Sequence, residues 1–206
     1  LRYRAAIGHY PDADNPSHWR IAPRSYFSGA MAPAGSTLSM SAAALLTFGR
    51  AQLERNKTHT ESPWLSPDSL QLMQTSSVAL PATSQVFKRH WGLGWGILED
   101  TRSGTASLYH SGQSNGQTSL LQLFPEQDTA IAVLLNSAKP GVVEGIVRNL
   151  TKELIHIDSR EPDPCPITLD TTVLQRYTGR FESFDAVYQV SLKPDDSNKD
   201  GDMLVA

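Results

Sequence analysis

The sequence predicts an α/β protein of the α+β kind, in which helices cover an antiparallel sheet. Between residues 93 and 136, four apolar or alternating runs follow one another, separated by Gly, Ser, Asn, Pro or Asp. Such runs are typical of consecutive antiparallel strands. Apolar residues at helical spacing stand before and after them, so helices are available to cover the sheet.

A loop and two helices are predicted before the sheet. Residues 1–24 contain three prolines among short polar residues, so we expect a surface loop with one short strand. Residues 40–55 predict a helix capped by Ser39 or Ser41, and Ser66-Pro67 begins a second, short helix. The buried stripe of the first helix is predicted to be Leu45, Phe48, Gln52 and Leu53.

The sheet itself is followed by a third helix. The four predicted strands are Leu93–Glu99, Thr105–Tyr109, Thr118–Phe124 and Ala130–Asn136. The helix is predicted over Val142–Ile155, with an apolar stripe of Val143, Ile146, Val147, Leu150 and Leu154. This amphipathic pattern predicts that one face of the helix packs on the sheet.

A change in composition after residue 157 predicts a domain boundary. We expect residues 1–157 to form one domain, residues 158–167 to form a proline-rich linker, and residues 168–206 to begin a second β domain. The chain begins at Leu1 without a signal-peptide pattern and stops at Ala206 within an apolar run. We therefore expect a piece of a longer polypeptide whose N-terminal portion precedes Leu1.

Composition limits the classes of function. The 206 residues are 39% hydrophobic, and 18 Lys and Arg stand against 21 Asp and Glu, for a formal net charge of −3. A sizeable core is therefore possible, and neither disorder nor nucleic-acid binding is favoured. The longest apolar runs, such as Ala130–Leu135, are about a third of the length of a membrane-spanning helix, so we expect no span.

We expect no metal ion and no cofactor. The single cysteine, Cys165, excludes an internal disulfide framework and a cysteine-built metal site. Residues 196–201 match the opening of a calcium loop, and they also match a polar turn between two strands. Both interpretations of that segment stay open.

The sharpest local pattern is Tyr109-His110-Ser111-Gly112, followed by Gln113-Ser114-Asn115-Gly116. Polar groups at the end of a strand beside glycine suit substrate docking. Gly112 lets another backbone or a ligand approach closely, and the N–H of the next residue is able to point at a developing oxyanion. A histidine in a turn, bonded only to its neighbours, is the alternative interpretation.

Several further segments, in the same order along the chain, resemble the serine β-lactamase and penicillin-binding-protein-like hydrolases, which include class C β-lactamases, D-aminopeptidases and related esterases. The segments are Ala5–Tyr10, Pro33–Phe48, Leu65-Ser66-Pro67, Trp91-Gly92-Leu93-Gly94-Trp95, Phe124-Pro125 and Leu134-Leu135-Asn136. Pro33–Phe48 contains the Pro-Ala-Gly turn and the Ser-x-x-x-Leu-x-x-Phe helix that follows it. Ala44 stands where the family usually has aspartate, which removes a hydrogen bond. The triplet His110-Ser111-Gly112 is similar to the His-x-Gly of the peptidase and esterase relatives.

The resemblance implies a fold, an activity and roles for the residues of the triplet. It implies a β-lactamase/transpeptidase-like sheet, incomplete here, with the start of a lipocalin-like accessory barrel after residue 168. His110 would contact the acid/base cluster or steer the substrate, Ser111 would offer a hydroxyl, and the Gln113 N–H would form half of the oxyanion hole. Gly112, Ser114 and Asn115 would bind a small-molecule or peptide substrate. For Trp91 and Trp95 two interpretations stay open: they line the cleft, or they pack under the sheet.

The family's Ser-x-x-Lys nucleophile motif is missing from the chain. The residues three positions before its six lysines are Glu54, Gln85, Asn136, Asn149, Val190 and Asp196. The Tyr-x-Asn or Ser-x-Asn motif is missing too, and Tyr26-Phe27-Ser28 is only a superficial match. We therefore expect either a fragment of a serine hydrolase, inactive alone, or a non-catalytic module that binds peptidoglycan or a partner. The family would suggest a periplasmic or extracellular location.

Overall fold

The computed structural model describes residues 5–12, 14–15, 17–23, 38–53, 65–81, 84, 86–139, 141–160, 170–182, 187–194 and 202–205. The chain divides into two units, Leu1–Glu161 and Pro162–Ala206. The division falls within the segment 158–167 that the sequence predicts as a linker.

The first unit is built on a six-stranded antiparallel sheet whose strands follow one another in chain order. The strands are β3 (Val78–Ala79), β4 (Phe87–Trp91), β5 (Gly96–Asp100), β6 (Ala106–Ser114), β7 (Gln117–Phe124) and β8 (Thr129–Leu135). A short hairpin, β1 (His9–Pro11) and β2 (Trp19–Ile21), precedes it where a loop with one strand was predicted.

In the described part of the first unit, three α-helices accompany the sheet: α1 (Ala42–Leu53), α2 (Pro67–Met73) and α3 (Val142–Ile155). The Ser41 hydroxyl accepts a hydrogen bond from the Ala44 N–H at 3.2 Å, which selects Ser41 as the α1 cap. The Ser66 hydroxyl accepts one from the Ser69 N–H at 3.1 Å, with proline in the first turn, as predicted for α2.

The core lies on both faces of the sheet because side chains alternate along each strand. One face carries the buried side chains Leu120, Phe124, Ile131 and Val133, packed against Val143 and Val147 of α3. The other carries Trp95, Ile97, Leu108, Leu121 and Leu123, packed against Leu45 and Leu53 of α1. The predicted architecture, an antiparallel sheet covered by helices, is therefore confirmed.

The stripes of two helices differ in detail from the prediction. On α3, Leu150 and Leu154 are exposed, since the buried row runs through Val143, Val147 and Thr151 at four-residue spacing. On α1, Gln52 is fully buried as predicted, whereas Phe48 is only partly covered. The sequence predicted both helices correctly but placed Phe48, Leu150 and Leu154 in their buried stripes, where the structure leaves these side chains exposed.

Strand boundaries differ most around the candidate site. β5 begins at Gly96 rather than Leu93, because residues 92–95 form a turn. β6 continues to Ser114 rather than ending at Tyr109. β4 was not predicted at all, since only Phe87 of its five residues is buried.

Within residues 170–182, 187–194 and 202–205, the second unit has a short helix, α4 (Thr171–Leu174), and three antiparallel strands in the order β11–β10–β9. The strands are β9 (Gly179–Glu182), β10 (Val187–Pro194) and β11 (Asp202–Val205). Strands were predicted at Tyr177–Phe181 and Ala186–Lys193. The calcium-loop segment 196–201 and the segments 26–28 and 33–37 lie outside the described residues.

Among the helices that the structure describes, none has the length and apolar character needed to traverse a lipid bilayer.

Candidate active site

Strand β6 has two halves with different surroundings. Residues 106–109 pair with β5 on one side, and 108–109 pair with β7 on the other. Residues 110–114 pair with β7, and no strand in the described part of the chain continues β5 beside them. Burial changes at the same point: Leu108 is buried, whereas His110, Ser111, Gly112 and Gln113 are exposed. We call the edge of residues 110–114 that faces away from β7 the site edge.

The turn from β6 to β7 sets the direction of the backbone groups. Asn115 and Gly116 form a two-residue connection, and the φ of Gly116 is +70°, which favours glycine. Residues that flank such a turn form a hydrogen-bonded pair, so the N–H groups of His110, Gly112 and Ser114 point toward β7. Those of Ser111 and Gln113 point toward the site edge. The hydrogen bond from the Asp100 N–H to the Thr105 oxygen, at 2.9 Å, gives the same alternation along β6.

The His110 ring lies beside the site edge. Its Nδ1 is 2.8 Å from the carbonyl oxygen of Ser111, and a carbonyl only accepts, so Nδ1 donates in this contact. In a neutral ring the proton on Nδ1 leaves Nε2 as the acceptor. The ring centroid is 6.1 Å from that of Trp91, with an interplanar angle of 54°. An imidazole that is exposed and oriented in this way is able to exchange a proton with a bound molecule.

Gly112 is crowded by the neighbouring strand. A Cβ at Gly112 would lie 2.5 Å from the Ser119 hydroxyl oxygen, and that hydroxyl is 3.4 Å from the Gly112 carbonyl oxygen. The sequence predicted that the missing side chain admits a ligand or another backbone. The first atom in that direction is instead the tip of Ser119, a residue that the sequence analysis missed because nothing local marks a cross-strand partner.

The β6–β7 turn is held by the β1–β2 hairpin. The Tyr10 hydroxyl donates to Asn115 Oδ1 at 3.0 Å, and Asn115 Nδ2 donates to the carbonyl oxygen of Pro23. Gly8, just before the hairpin, packs against Gly116 of the turn. A Cβ at Gly8 would lie 2.0 Å from the Asn115 carbonyl oxygen, and a Cβ at Gly116 would lie 2.7 Å from the Gly8 carbonyl carbon. The His9 N–H also donates to the Gly116 oxygen at 2.9 Å. The end of the site edge is therefore fixed by residues about 100 positions away in the sequence.

A second turn, residues 92–95, separates two tryptophans. The Gly92 N–H donates to the Trp95 oxygen at 2.8 Å, and the Leu93 N–H donates to the Met73 oxygen at 3.2 Å, which holds the turn on the end of α2. Trp95 is 2% exposed and its ring stacks on Phe48, with centroids 6.2 Å apart. Trp91 is 40% exposed, beside His110. The sequence treated the two alike, and only Trp91 lies at the site edge.

A different Ser–His–acid contact joins Ser76, just before β3, to His90 of β4 and Glu99 of β5. The Ser76 hydroxyl is 3.1 Å from His90 Nδ1, and His90 Nε2 is 3.9 Å from Glu99 Oε2. The second distance is too long for a hydrogen bond. Because Lys88 also contacts Glu99 at 3.5 Å, the group resembles a solvated ion cluster more than a nucleophile with its base.

The groups with shifted pKa lie away from the site edge. Hydrogen bonds from the Arg102 guanidinium hold the pKa of Asp100 below its usual value, and the same pair raises the pKa of Arg102. Arg102 Nε and Nη2 approach the two carboxylate oxygens at 2.9 and 2.7 Å. A hydrogen bond from Arg20 likewise lowers the pKa of Asp12. Both are local charge pairs, the first in the turn after β5 and the second in the β1–β2 hairpin.

The six predicted site residues thus lie in sequence on the second half of β6 and its turn. Side chains alternate, so His110, Gly112 and Ser114 share the face that α1 packs on, and Ser111 and Gln113 share the α3 face. In the described residues, no three His, Cys, Asp or Glu side chains are arranged to hold a metal ion. Imidazole, hydroxyl and backbone N–H groups along one strand edge suit acyl transfer, given a nucleophile from elsewhere.

Known proteins provide an independent comparison. The profile of the Beta-lactamase family matches residues 2–153. The octameric penicillin-binding protein homologue from Pyrococcus abyssi is similar with a TM-score of 0.56 and 21% identity, over 91% of this chain and 39% of that one. SurE is similar with a TM-score of 0.57 and 25% identity, over 97% of this chain and 43% of that one.

At 21% identity the likeness to the archaeal homologue is evidence of the fold alone. The chain spans about two fifths of the length of these two proteins. No curated protein matches the sequence.

Proposed function

Because this chain belongs to the Beta-lactamase family, we propose that it is part of a serine hydrolase that cleaves an amide or an ester through an acyl-serine intermediate. The substrate class is a β-lactam, a D-amino-acid peptide or a small ester. The observation that supports this most is the second half of β6, where an exposed imidazole and backbone N–H groups share one edge.

The proposed reaction has two steps. A serine hydroxyl attacks the carbonyl carbon, a base takes its proton, and the amine or alcohol leaves with a proton. Water then attacks the acyl-serine ester, which releases the acid and restores the serine hydroxyl. In both steps negative charge develops on the former carbonyl oxygen, and hydrogen-bond donors aimed at that oxygen lower the barrier.

In this proposal the site edge stabilises the charge and orients the substrate. The Gln113 N–H, which points toward the edge, donates to the developing oxyanion, and one such donor is typically worth about 3 kcal/mol of barrier. His110 Nε2 exchanges a proton with the acid/base cluster or the substrate, and the Ser111 hydroxyl contributes a hydrogen bond. Gly112, Ser114 and Asn115 border the substrate. The contacts of the Asn115 amide with Tyr10 and Pro23 would keep this border in register.

The proposal assigns the nucleophile to a part of the protein outside these 206 residues. Ser-x-x-Lys brings a serine and its lysine base onto one face of a helix, and no lysine of this chain stands three positions after a serine. The chain then supplies one wall of the cleft and is inactive alone.

Covalent labelling tests the proposal. The product of the complete reading frame and the 206-residue chain would each be incubated with a fluorescent penicillin and with a fluorophosphonate. We expect the complete product to be labelled at a serine outside this chain, and the chain alone to stay unlabelled. Labelling of the chain alone would contradict the assignment of the nucleophile to another part of the protein. A Ser76→Ala variant would then show whether the label is attached to the serine that contacts His90.

A non-catalytic module that binds peptidoglycan or a partner is the second candidate. The observation that favours it is the missing Ser-x-x-Lys. It predicts that the complete product also stays unlabelled, while it still retains peptidoglycan or a partner in a pull-down experiment. The two candidates therefore give opposite results in the same labelling experiment.

A further inference from the structure

Trp91 is an exposed aromatic residue on a fixed backbone. Its Cα pairs with Val78 on one side and Gly96 on the other, and its carbonyl oxygen accepts from the Ser77 N–H at 2.9 Å. The turn that follows packs closely on the end of α2, since the Leu93 N–H donates to the Met73 oxygen and a Cβ at Gly92 would lie 2.5 Å from that oxygen. Large rigid side chains of this kind lose little conformational entropy when a ligand binds.

The position of Trp91 is set by the end of strand β5. Trp91 lies opposite Gly96, the first residue of β5, and β6 continues past that point on the other side of β5. An extended ligand that lay along the site edge of β6 would continue the line of β5. Such a ligand would run alongside β6 and begin next to the β4–β5 turn, where the Trp91 ring lies beside His110.

The ring contact with His110 points to the same location. The two centroids are 6.1 Å apart and tilted by 54°, which is within the range of favourable aromatic contacts, and the Trp91 side chain keeps 40% of its surface exposed. Trp95, four residues later, is buried and its ring stacks on Phe48. Of the two tryptophans of the motif, Trp91 is the one with ring surface available to a ligand.

We propose that Trp91 forms a subsite for a flat, apolar ring carried by the substrate, next to the amide or ester group that lies along the site edge. This inference rests on the proposed hydrolase function and names the substrate class within it: acyl compounds with an aryl group near the carbonyl. Strand-edge recognition divides the work in this way, with backbone hydrogen bonds giving general affinity and side-chain pockets giving selectivity. One aromatic contact corresponds to a preference of up to about tenfold.

Binding measured by NMR tests the subsite without any need for catalysis. The isotope-labelled chain would be titrated with N-phenylacetylglycine and with N-acetylglycine, which share the amide and the carboxylate and differ by the ring. We expect the ring-bearing ligand to bind up to about tenfold more tightly and to shift the Trp91 indole N–H and the Gln113 amide signals. Equal affinities, or no shift at Trp91, would overturn the proposal.

Two variants and a matched control separate the subsite from general effects. Trp91→Ala should bring the two ligands within about twofold of each other, and Trp91→Leu, which keeps apolar volume, should do the same if alanine prevents folding. Trp19→Ala removes another exposed tryptophan and should leave the preference intact. A preference that survives both Trp91 variants contradicts the inference.

The outcome stays distinguishable from that of the proposed function. A chain that prefers the ring through Trp91, in a complete protein that no serine probe labels, would refute the hydrolase and retain the subsite. A labelled enzyme whose chain shows no ring preference would refute the subsite alone.

Discussion

The two halves of strand β6 differ in their strand partners and in their burial. Residues 106–109 have β5 beside them and bury Leu108 in the core, whereas residues 110–114 pair only with β7 among the described strands, and His110 to Gln113 are exposed. One strand therefore serves as scaffold and as candidate site, and the change occurs between Tyr109 and His110. The comparison shows that an exposed strand edge arises where β6 extends beyond the end of its neighbour β5.

The largest expected effect is on stability and comes from the buried half. Leu108→Ala should lower the free energy of unfolding of the first unit by about 3 kcal/mol, since it leaves a cavity between the sheet and α1. Ser111→Ala, three residues later on the same strand, should change it by less than about 0.5 kcal/mol. Urea unfolding followed by tryptophan fluorescence measures both. Similar losses at the two positions would mean that the halves are not distinct.

The exposed half should matter for chemistry instead. In the complete enzyme, His110→Ala should reduce kcat/KM about 100-fold, equivalent to about 2.7 kcal/mol of barrier, with little change in the folding free energy. The matched control is His90→Ala, another histidine of the same sheet, which should change kcat/KM less than about threefold. Steady-state hydrolysis of a chromogenic ester or β-lactam measures this. Equal activity of His110→Ala and the parent would remove His110 from the site.

The far end of β5 should make the scaffold sensitive to acid. The Arg102 guanidinium lowers the pKa of Asp100, so the folded state favours the carboxylate. This stabilisation is complete above the usual carboxyl pKa of about 4 and is lost as the pH falls through the lower, folded-state pKa. Asp100→Asn should therefore cost about 2 kcal/mol near pH 7, and the difference should shrink at strongly acid pH.

Unfolding curves of Asp100→Asn and the parent between pH 2.5 and about 7 provide the measurement. Glu126→Gln, which removes an exposed carboxyl in the turn before β8, serves as the control for the loss of one negative charge. A cost for Asp100→Asn that is constant with pH would mean that the ion pair does not contribute in the folded state.

The sequence predicted the scaffold better than the site edge, for physical reasons. Leu108 and Val147 belong to apolar patterns with strand or helix spacing, and such patterns predict buried positions. Both side chains are buried in the structure. His110–Ser114 contain no apolar residue, so the predicted strand stopped at Tyr109 with these polar residues placed at its end, whereas β6 continues to Ser114. Only the Asn115-Gly116 turn marks the true end of the strand. Trp91 and Trp95 could not be told apart, because their difference depends on how the turn between them docks on α2.

Long-range contacts account for the rest. Ser119 faces Gly112 only through the register of β6 and β7. The β1–β2 hairpin meets the β6–β7 turn through Gly8 and Gly116, which are 108 positions apart in the sequence. A glycine that is needed for close backbone approach, such as Gly8, carries no pattern that a single sequence displays, so the resemblance of Ala5–Tyr10 to a family motif was the only hint of this contact.

The smallest predicted effect concerns how the exposed half is held from outside the sheet. Tyr10→Phe removes the hydroxyl that donates to Asn115 Oδ1, and should lower the free energy of unfolding of the first unit by about 1 kcal/mol. The loss stays small because Asn115 keeps its contact with the Pro23 oxygen and the two glycines keep theirs. Tyr177→Phe, an exposed tyrosine of the second unit, is the control and should have no measurable effect. If Tyr10→Phe cost as much as Leu108→Ala, the hairpin would be part of the scaffold itself, and the exposed half of β6 would depend on side chains rather than on backbone packing.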